Sequence, residues 1–250
     1  MNFDINCDFG EGYGRYELGD MEILDYVSSI NIACGYHAGD PVKINSVIKK
    51  AVEKNINIGA HPSYPDLLGF GRRSMDISTE ELYSYILYQI SSLYGMAKAN
   101  GGKLSHVKAH GALYHDLEKK DSYAECFVKA VKDLAPEIRV VGMANGKLEK
   151  EVKKLGMKYV REGFSDRAYS NDLSLVSRSL PGAVLHNIED IVVQVKNIIN
   201  GKVRCIDGDI KKIDVDTICI HGDGINSLEI AIALKKMMKE NNIQMKGLEE

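Results

Sequence analysis

The sequence predicts an α/β fold in which parallel strands, each followed by a helix, form a barrel. Short runs rich in β-branched residues alternate with longer segments of helical periodicity seven times along the chain. Such alternation favours right-handed crossovers and a parallel sheet. The composition does not shift along the 250 residues, a length that suits one large barrel. We therefore predict a single domain, 1–250, with a closed or nearly closed barrel; an open, doubly wound sheet is the alternative.

Hydrophobic periods of two and of 3.6 residues locate the individual elements. Strands are predicted near 2–7, 29–33, 56–60, 104–108, 138–142, 157–161 and 216–220. Helices are predicted near 20–27, 40–54, 78–100, 120–134, 145–154, 187–199 and 226–241.

Capping signals support the starts of two helices. Asp40 is a typical N-cap residue, and Pro41 follows it at the first helical position. Ser78 precedes two glutamates in what would be the first helical turn. Both patterns place a helix start within a residue or two of the position that the periodicity indicates.

The last third of the chain carries two features outside the strand–helix alternation. Asp207-Gly208 separates two short apolar runs, 203–206 and 210–213, which predicts a two-stranded hairpin beside the barrel. The stretch 162–182 has little periodicity and many polar residues, so we predict a functional loop there.

Composition and charge exclude several classes of protein. The net charge is −3 and the lysines form no basic block, so we expect no nucleic-acid partner. The five cysteines show no CxxC spacing, which favours a reduced, cytoplasmic protein over a disulfide framework. No signal peptide is visible, and no apolar run approaches the ~20 residues of a membrane span. We expect no membrane contact.

Polar residues gather where the predicted strands end, and histidine recurs among them. The carboxyl ends of parallel strands open onto one face of the fold, where active sites form. We therefore predict one polar pocket built from distant parts of the chain. The residues concerned are Asn6, Asp8, Glu11, His37, His61, Lys108, His110 and His221.

Asp8 and three histidines are the candidate catalytic groups. Asp8 follows an apolar strand and suits a general base, a metal ligand or a substrate clamp. His37, His61 and His110 occupy the same topological place on other strands, and imidazole serves both as a proton carrier and as a metal ligand. A divalent ion, if present, would be held by Asp8, His37 and His61.

Lysine and arginine residues near the same strand ends are candidate anion-binding groups. Lys108 lies two residues before His110 and should face the same side. A buried lysine requires a partner, either a carboxylate such as Asp8 or Glu11 or an anionic substrate, so we count Lys108 among the catalytic candidates.

Two loops add further candidates for substrate binding. Arg72 and Arg73 follow a Gly-Phe-Gly stretch, and arginine forks match carboxylate or phosphate. In the late loop, Asp166 and Arg167 belong to a polar set that could orient a substrate as part of a lid or could simply pair internally. The other members of this set are Glu162, Tyr169 and Arg178. Asn6, Glu11 and His221 complete the predicted substrate-binding set.

Other kinds of chemistry receive little support. The run 10–14 superficially resembles a phosphate loop but has neither GxGxxG nor GK[ST]. Cys7, Cys34 and Cys219 adjoin the polar cluster and could act as nucleophiles, although buried strand cysteines are usually inert. No GxSxG motif is present, which argues against a serine hydrolase.

Six motifs in the same order along the chain resemble those of the LamB/YcsF family. They are Asn6-Cys7-Asp8-Phe9-Gly10-Glu11, 29–40, Gly59-Ala60-His61-Pro62, Gly69-Phe70-Gly71-Arg72-Arg73, 107–114 and Cys219-Ile220-His221-Gly222-Asp223. The resemblance covers essentially the whole chain, and the long block 29–40 is highly specific. Cys7 stands where the family usually has alanine, which argues against a nucleophilic role, and Ala109 replaces a proline between Lys108 and His110.

The resemblance implies a fold, a reaction and partners. The expected fold is a seven-stranded β/α barrel similar to that of the glycoside hydrolase/deacetylase superfamily. The expected reaction is the opening of the lactam of 5-oxo-L-proline (pyroglutamate) to L-glutamate, a hydrolysis with ATP as co-substrate. Two partner subunits, B and C, are expected for the complete reaction. The alternatives are a metal-dependent deacetylase or carbohydrate hydrolase of that superfamily, and a noncatalytic substrate-binding subunit.

Overall fold

Parallel strands close into a seven-stranded barrel in the computed structural model, which describes residues 1–16, 18–222, 224 and 226–248. The strands are β1 (Asn2–Phe9), β2 (Ser29–Ala33), β3 (Asn57–His61), β4 (Leu104–Lys108), β5 (Arg139–Met143), β6 (Tyr159–Phe164), β7 (Lys202–Arg204), β8 (Ile210–Lys212), β9 (Thr217–Ile220) and β10 (Gln244–Met245). The barrel order is β1-β2-β3-β4-β5-β6-β9, and pairing of β1 with β9 closes it. The predicted barrel is confirmed, and the open sheet is excluded.

Helices follow most of the barrel strands. They are α1 (Pro41–Glu53), α2 (Thr79–Ala99), α3 (Gly111–Asp116), α4 (Asp121–Leu134), α5 (Leu148–Lys154), α6 (Ile188–Ile199) and α7 (Ser227–Glu240). Asp40 caps α1 by accepting from the amides of Val42 and Lys43, and Ser78 forms a reciprocal capping box with Glu81. Within the described residues, no helix combines the length and apolarity needed to cross a membrane.

Four parts of the chain differ from the sequence prediction. The shortest is β10, a two-residue strand that was not predicted and that pairs with the start of β1. The segment predicted as helix 20–27 forms only a short 3-10 helix, Met21–Asp25, because the chain must already return to the barrel at Ser28, whose amide donates to Ile5. α3 was not predicted; it begins directly after the motif around His110. The predicted loop 162–182 begins later, because its first residues belong to β6. The hairpin is confirmed as β7 and β8.

β1 shows how the barrel interior is filled. Ile5, Cys7 and Phe9 belong to the hydrophobic core. The alternate residues Asp4, Asn6 and Asp8 make polar contacts with other strands across the interior. Successive residues of a strand face opposite sides, so one strand can supply an apolar and a polar surface at once. The interior of this barrel is therefore a buried polar network that ends at Asp8.

A glycine in β3 makes room for this network. A Cβ atom on Gly59 would lie 2.1 Å from His106 Nε2, so no larger residue fits. His106 is fully buried and its Nε2 donates to Asn31 Oδ1 at 2.8 Å. Asn31 in turn donates to both Asn6 and Asp8 at 2.7 and 2.9 Å. The side chains beneath the site are thereby fixed in orientation.

Candidate active site

A cavity of about 760 Å³ opens at the carboxyl ends of the barrel strands. Its lining comes from the ends of β1, β3, β4, β5, β6 and β9 and from the loops that follow them. The fold thus brings together eight of the twelve predicted site residues. They are Asp8, Glu11, His61, Arg72, Lys108, His110, Arg167 and His221.

Lys108 lies at the centre of the cavity floor. Its ammonium donates to Asp8 Oδ1 at 2.8 Å and contacts Glu162 Oε1, also at 2.8 Å. A longer contact of 3.1 Å reaches Cys219 Sγ. The lysine, which is only 2% exposed, therefore has two carboxylates close enough to compensate its charge. Asp8 was predicted as a carboxylate partner of Lys108. The second carboxylate in contact with the ammonium is Glu162 on β6, whereas the sequence prediction had named Glu11.

The buried charges stabilise one another in their ionised forms. Burial alone would raise the pKa of Asp8, but Lys108 and His61 hold it well below its ordinary value. Burial would lower the pKa of Lys108, but the carboxylates of Asp8 and Glu162 raise it well above its ordinary value. Asp8 is therefore a carboxylate and Lys108 an ammonium throughout the neutral pH range.

His61 and His110 form a hydrogen-bonded pair whose protons can be assigned. His61 Nδ1 donates to the carbonyl of Lys108 at 2.8 Å, and His110 Nε2 donates to the carbonyl of Phe70 at 2.9 Å, because a carbonyl can only accept. The remaining nitrogens, His61 Nε2 and His110 Nδ1, face each other at 3.0 Å. If both rings were neutral, each of these two nitrogens would carry a lone pair and neither could donate. The hydrogen bond therefore requires one additional proton, which the pair shares.

The two rings of the pair have different surroundings. Burial lowers the pKa of His110 well below its ordinary value, and the nearby His37 ring adds to the effect. His61 Nε2 lies 3.5 Å from Asp8 Oδ2. The site thus offers a carboxylate and two imidazole rings in contact, a combination suited to proton transfer.

His37 lies behind this pair and stacks on His110, with ring centroids 3.7 Å apart. Its Nδ1 donates to Ser63 Oγ at 3.0 Å, because the Ser63 hydroxyl already donates to a carbonyl. Its Nε2 lies 3.4 Å from Glu11 Oε1. Burial lowers the pKa of His37 well below its ordinary value, so the ring is neutral. Stacking on His110 gives His37 a positioning contact with the histidine pair.

The Gly-Phe-Gly stretch shapes the rim beside the histidines. Phe70 and Gly71 both have left-handed backbone conformations, with φ of 54° and 64°. A Cβ atom on Gly71 would lie 2.8 Å from His110 Cδ2, so glycine is required where the backbone passes the ring. This path directs the Phe70 carbonyl to His110, which explains why a loop remote in sequence carries the motif.

Comparison with known proteins agrees with this architecture. The model of the LamB/YcsF family matches residues 3–250. The chain belongs to the LamB/YcsF family. It is 43% identical over 252 residues to the 5-oxoprolinase A subunit of Pyrococcus abyssi (strain GE5 / Orsay), covering 100% of this chain and 99% of that protein. It is 47% identical over 248 residues to the protein of the same name from Acinetobacter baumannii (strain ACICU), covering 98% of each.

A solved structure extends this family relation to the fold. The lactam utilization protein from Thermus thermophilus superposes with a TM-score of 0.94 at 37% identity, covering 99% of this chain and 100% of that one. The resemblance predicted from the six motifs is confirmed by the family match, and this chain and the Thermus thermophilus protein share one fold over their full length.

Four predicted site residues of this family member lie outside the cavity lining. Asn6 lies beneath Asp8, where it donates to Thr217 and accepts from Asn31. His37 lies behind His110, as described above. Arg73 is directed away and pairs with Asp66, whereas the adjacent Arg72 lines the cavity and covers the ring of Phe70 at 4.9 Å.

The fourth of these residues, Asp166, lies behind His221. It accepts from His221 Nδ1 at 2.8 Å. On the other side of the ring, Arg178 Nη2 donates to His221 Nε2 at 3.1 Å. Both residues belong to the segment 165–187 between β6 and α6, which we call the arginine loop. Asp223, part of the last motif, lies outside the described residues.

The donor sets of the site do not suit a tightly bound metal ion. Among the described residues, the groups with metal-compatible spacing are Asp8–Cys219–His221 and Glu11–His37–His110. Of the predicted trio, Asp8 and His37 therefore fall in different groups and His61 falls in neither. In the first group the Lys108 ammonium already contacts Asp8 and Cys219. In the second, the two imidazole planes are stacked and nearly parallel, at 6°, so their lone pairs do not converge on one point.

The thiols of the site are protonated. Burial raises the pKa of Cys34 to about 12 and that of Cys219 well above its ordinary value. Cys7 is fully buried in the hydrophobic core. A thiolate nucleophile therefore has no support in this cavity.

The predicted catalytic and substrate-binding sets leave out several residues that line the cavity. Tyr114 and His115 come from α3, and Arg178 comes from the arginine loop. Burial lowers the pKa of His115 to about 4, helped by Arg167 and Lys119, so His115 is neutral. The available signal was the motif 107–114, which ends at Tyr114, directly before His115.

Proposed function

We propose that this chain is the A subunit of an ATP-dependent 5-oxoprolinase. In this reaction the lactam of 5-oxo-L-proline is hydrolysed to L-glutamate, with ATP as co-substrate and with partner subunits B and C. The names of the curated relatives support the assignment, since they are similar over their full length. The fold relation to a lactam utilization protein agrees with a cyclic amide substrate.

One observation carries a catalytic role for the chain: the contact between Asp8, Lys108 and the protonated histidine pair on the cavity floor. Opening a lactam requires water to lose a proton as it attacks and the ring nitrogen to gain one as it leaves. A carboxylate beside an imidazole–imidazolium pair provides for both transfers. A protein that only bound substrate would have no need of buried, coupled proton carriers.

The steps can be assigned to individual atoms. We place phosphorylation of the amide oxygen with the partner subunits, because this sequence has no P-loop motif. Water then attacks the ring carbon, the C–N bond breaks, and the nitrogen takes the additional proton of the His61–His110 pair. The attacking water returns a proton to the pair. The resulting acyl phosphate is hydrolysed to the carboxylate of glutamate and inorganic phosphate.

Asp8 and Lys108 have supporting roles in this scheme. The lowered pKa of Asp8 makes it a weak base near neutrality, so we assign it the orientation of water through Oδ2 and the stabilisation of the proton that the histidine pair shares. Lys108 holds Asp8 in place and gives positive charge to the floor, where the oxygen of the tetrahedral intermediate becomes negative.

The test is an assay of glutamate formation and ATP hydrolysis with 5-oxo-L-proline, with and without the B and C proteins. We expect activity only in the assembled system, and a large loss for both Asp8→Ala and His61→Ala. Arg73→Gln is the matched control, because Arg73 is outside the cavity. Full activity of the assembled Asp8→Ala variant would show that the chain only binds substrate. Full activity of the isolated chain would disprove the division of labour.

A further inference from the structure

The arginine loop forms one wall of the cavity and carries two guanidinium groups to it. Arg167 and Arg178 both belong to the lining. A backbone bridge between Arg167 and Val184 folds the loop on itself, and Ala168, Val176 and Ala183 form a small apolar cluster within it. The two guanidinium groups are therefore presented by a folded element.

Arg167 is buried with part of its hydrogen-bonding capacity unused. The residue is 4% exposed, and its Nη2 donates to the carbonyl of Val176 at 2.7 Å. Its Nε has no hydrogen-bond partner among the described residues. Leaving a buried, charged donor unsatisfied is unfavourable, so a ligand in the cavity that accepted from Nε would be stabilised.

Arg178 connects this wall to the reactive centre. Its Nη2 lies 3.1 Å from His221 Nε2. His221, Asp8 and Cys219 bring ligand atoms within 4.8 Å of one another. A single imidazole ring thus separates Arg178 from the carboxylate of Asp8. A ligand group bound by Arg178 would therefore lie next to the atoms that react at Asp8. It would be either a substituent of the reacting molecule or the group that has just been released from it.

The positive charge of the wall is not compensated locally. In the part of the chain that the structure describes, no carboxylate forms an ion pair with Arg167 or Arg178, and Asp166 is engaged by His221. Burial lowers the pKa of Arg167, and the neighbouring Arg178 lowers it further. The carboxylate Glu118 at the cavity edge is occupied by the backbone amides of Lys147 and Leu148. The wall therefore attracts an anion.

We propose that Arg167 and Arg178 form a subsite for a phosphoryl group beside the Asp8 centre. Guanidinium forks match the oxygens of phosphate, and two arginines from one loop suit a dianion better than the single charge of a carboxylate. The identity of the ligand rests on the proposed function: it is the phosphoryl group of a phosphorylated lactam. The subsite places the activated ring with its carbon toward Asp8 and the histidine pair.

Binding of inorganic phosphate to the full-length chain tests the subsite without turnover. We expect calorimetric titration of the wild type to show phosphate binding tighter than acetate binding. Arg178→Gln should weaken phosphate binding about tenfold or more, because it removes charge-assisted hydrogen bonds. Arg73→Gln should leave it unchanged. Arg167→Gln should also weaken phosphate binding. Because Arg167 is buried, circular dichroism must show that this variant folds. Arg178 is exposed, so the Arg178→Gln result decides the test.

The opposite results would overturn the subsite. Unchanged phosphate affinity in Arg178→Gln, equal affinity for acetate, or an equal loss in Arg73→Gln would each do so. The titration needs neither lactam nor partner subunits. An assembled complex that fails to open the lactam would therefore disprove the proposed function while leaving an arginine-dependent phosphate site intact.

A second measurement distinguishes a phosphorylated lactam from free phosphate as the ligand. In the assembled system, Arg178→Gln should raise the ratio of ATP hydrolysed to glutamate formed, because the phosphorylated ring would be captured less efficiently. An unchanged ratio, with only weaker inhibition by added phosphate, would restrict the subsite to the product and contradict the ligand that we propose.

Discussion

Asp4 and Asp8 lie on the same strand, four residues apart, and their carboxyl groups have opposite properties. Both are buried in the barrel interior. Asp4 accepts from three hydroxyl groups, those of Ser28, Ser29 and Thr217, at 2.8, 2.6 and 2.5 Å. Asp8 accepts instead from an ammonium and an amide. Burial raises the pKa of Asp4 despite these hydroxyls, whereas Lys108 keeps the pKa of Asp8 well below normal.

The difference shows what makes a buried carboxylate functional in this barrel. Neutral donors satisfy Asp4 without fixing its charge, and the residue contributes to the packing below the site. A full positive charge fixes Asp8 as an anion, and its Oδ2 remains directed to His61 at the cavity. Position along the strand determines which environment is encountered, because only the carboxyl end reaches Lys108 and the opening.

The largest expected effect concerns the activity of these two residues. Asp8→Asn in the assembled system should lower the rate of glutamate formation about 10³-fold, within the usual range for loss of acid–base machinery. Asp4→Asn should retain a rate close to wild type, because Asp4 does not line the cavity. Steady-state rates at saturating 5-oxo-L-proline measure both. Similar losses of activity in the two variants would show that Asp8, like Asp4, contributes to the structure and has no separate role in catalysis.

The next effect concerns stability. Lys108→Met leaves Asp8 and Glu162 buried without their cation, which should lower the free energy of unfolding by about 3–5 kcal/mol. Adding Glu162→Gln to this variant should recover part of the loss, since one of the two uncompensated charges is removed. Denaturant unfolding followed by circular dichroism provides both values. A loss below about 1 kcal/mol, typical of exposed ion pairs, would show that solvent reaches the lysine.

The sequence was sufficient to locate the floor of the site. His61, Lys108 and Asp8 follow apolar runs at strand ends, and the parallel topology brings such ends together wherever they occur in the chain. Pairings across the barrel were less accessible. Glu162 meets Lys108 because β6 lies two strands from β4, a relation that only strand order and stagger determine.

Loop residues were the least predictable part of the site. Arg72 and Arg73 are adjacent and chemically identical, yet a left-handed turn directs one into the cavity and the other to Asp66. Arg178 lies in a loop without periodicity, so nothing in its sequence indicated the contact with His221. The short segment 20–27 could not be resolved into α or 3-10 geometry because it spans barely two turns.

A smaller effect should appear in the pH dependence of stability. Because the folded-state pKa of Asp4 is raised, its contribution to stability is present below the ordinary value of 3.8 and is lost as the pH rises through the folded pKa. Asp8 behaves oppositely: its contribution is present above 3.8 and is lost as the pH falls through its lowered folded pKa. Asp4→Asn should therefore gain stability relative to wild type as the pH increases from about 4 to 7.

Unfolding free energies of the wild type, Asp4→Asn and Asp8→Asn, measured from acid pH up to about pH 7, test these differences. Asp8→Asn should lose stability relative to wild type only as the pH rises toward the ordinary value of 3.8, and its difference curve should then stay nearly flat over the interval in which that of Asp4→Asn rises. Parallel curves would contradict the assignment of a neutral environment to one carboxyl group and a cationic environment to the other.

Metal removal is expected to have the smallest effect. It tests whether Lys108 alone is the cation that lowers the pKa of Asp8 relative to that of Asp4. The ammonium occupies the position beside Asp8 and Cys219 that an ion would need. Dialysis of the isolated chain against a chelator should therefore leave its melting temperature unchanged. Elemental analysis before dialysis should find well under one zinc or manganese ion per chain. A stoichiometric ion, with a fall in melting temperature when it is removed, would instead assign the ionisation of Asp8 to a metal centre and would require the histidine rings to rotate from their stacked arrangement.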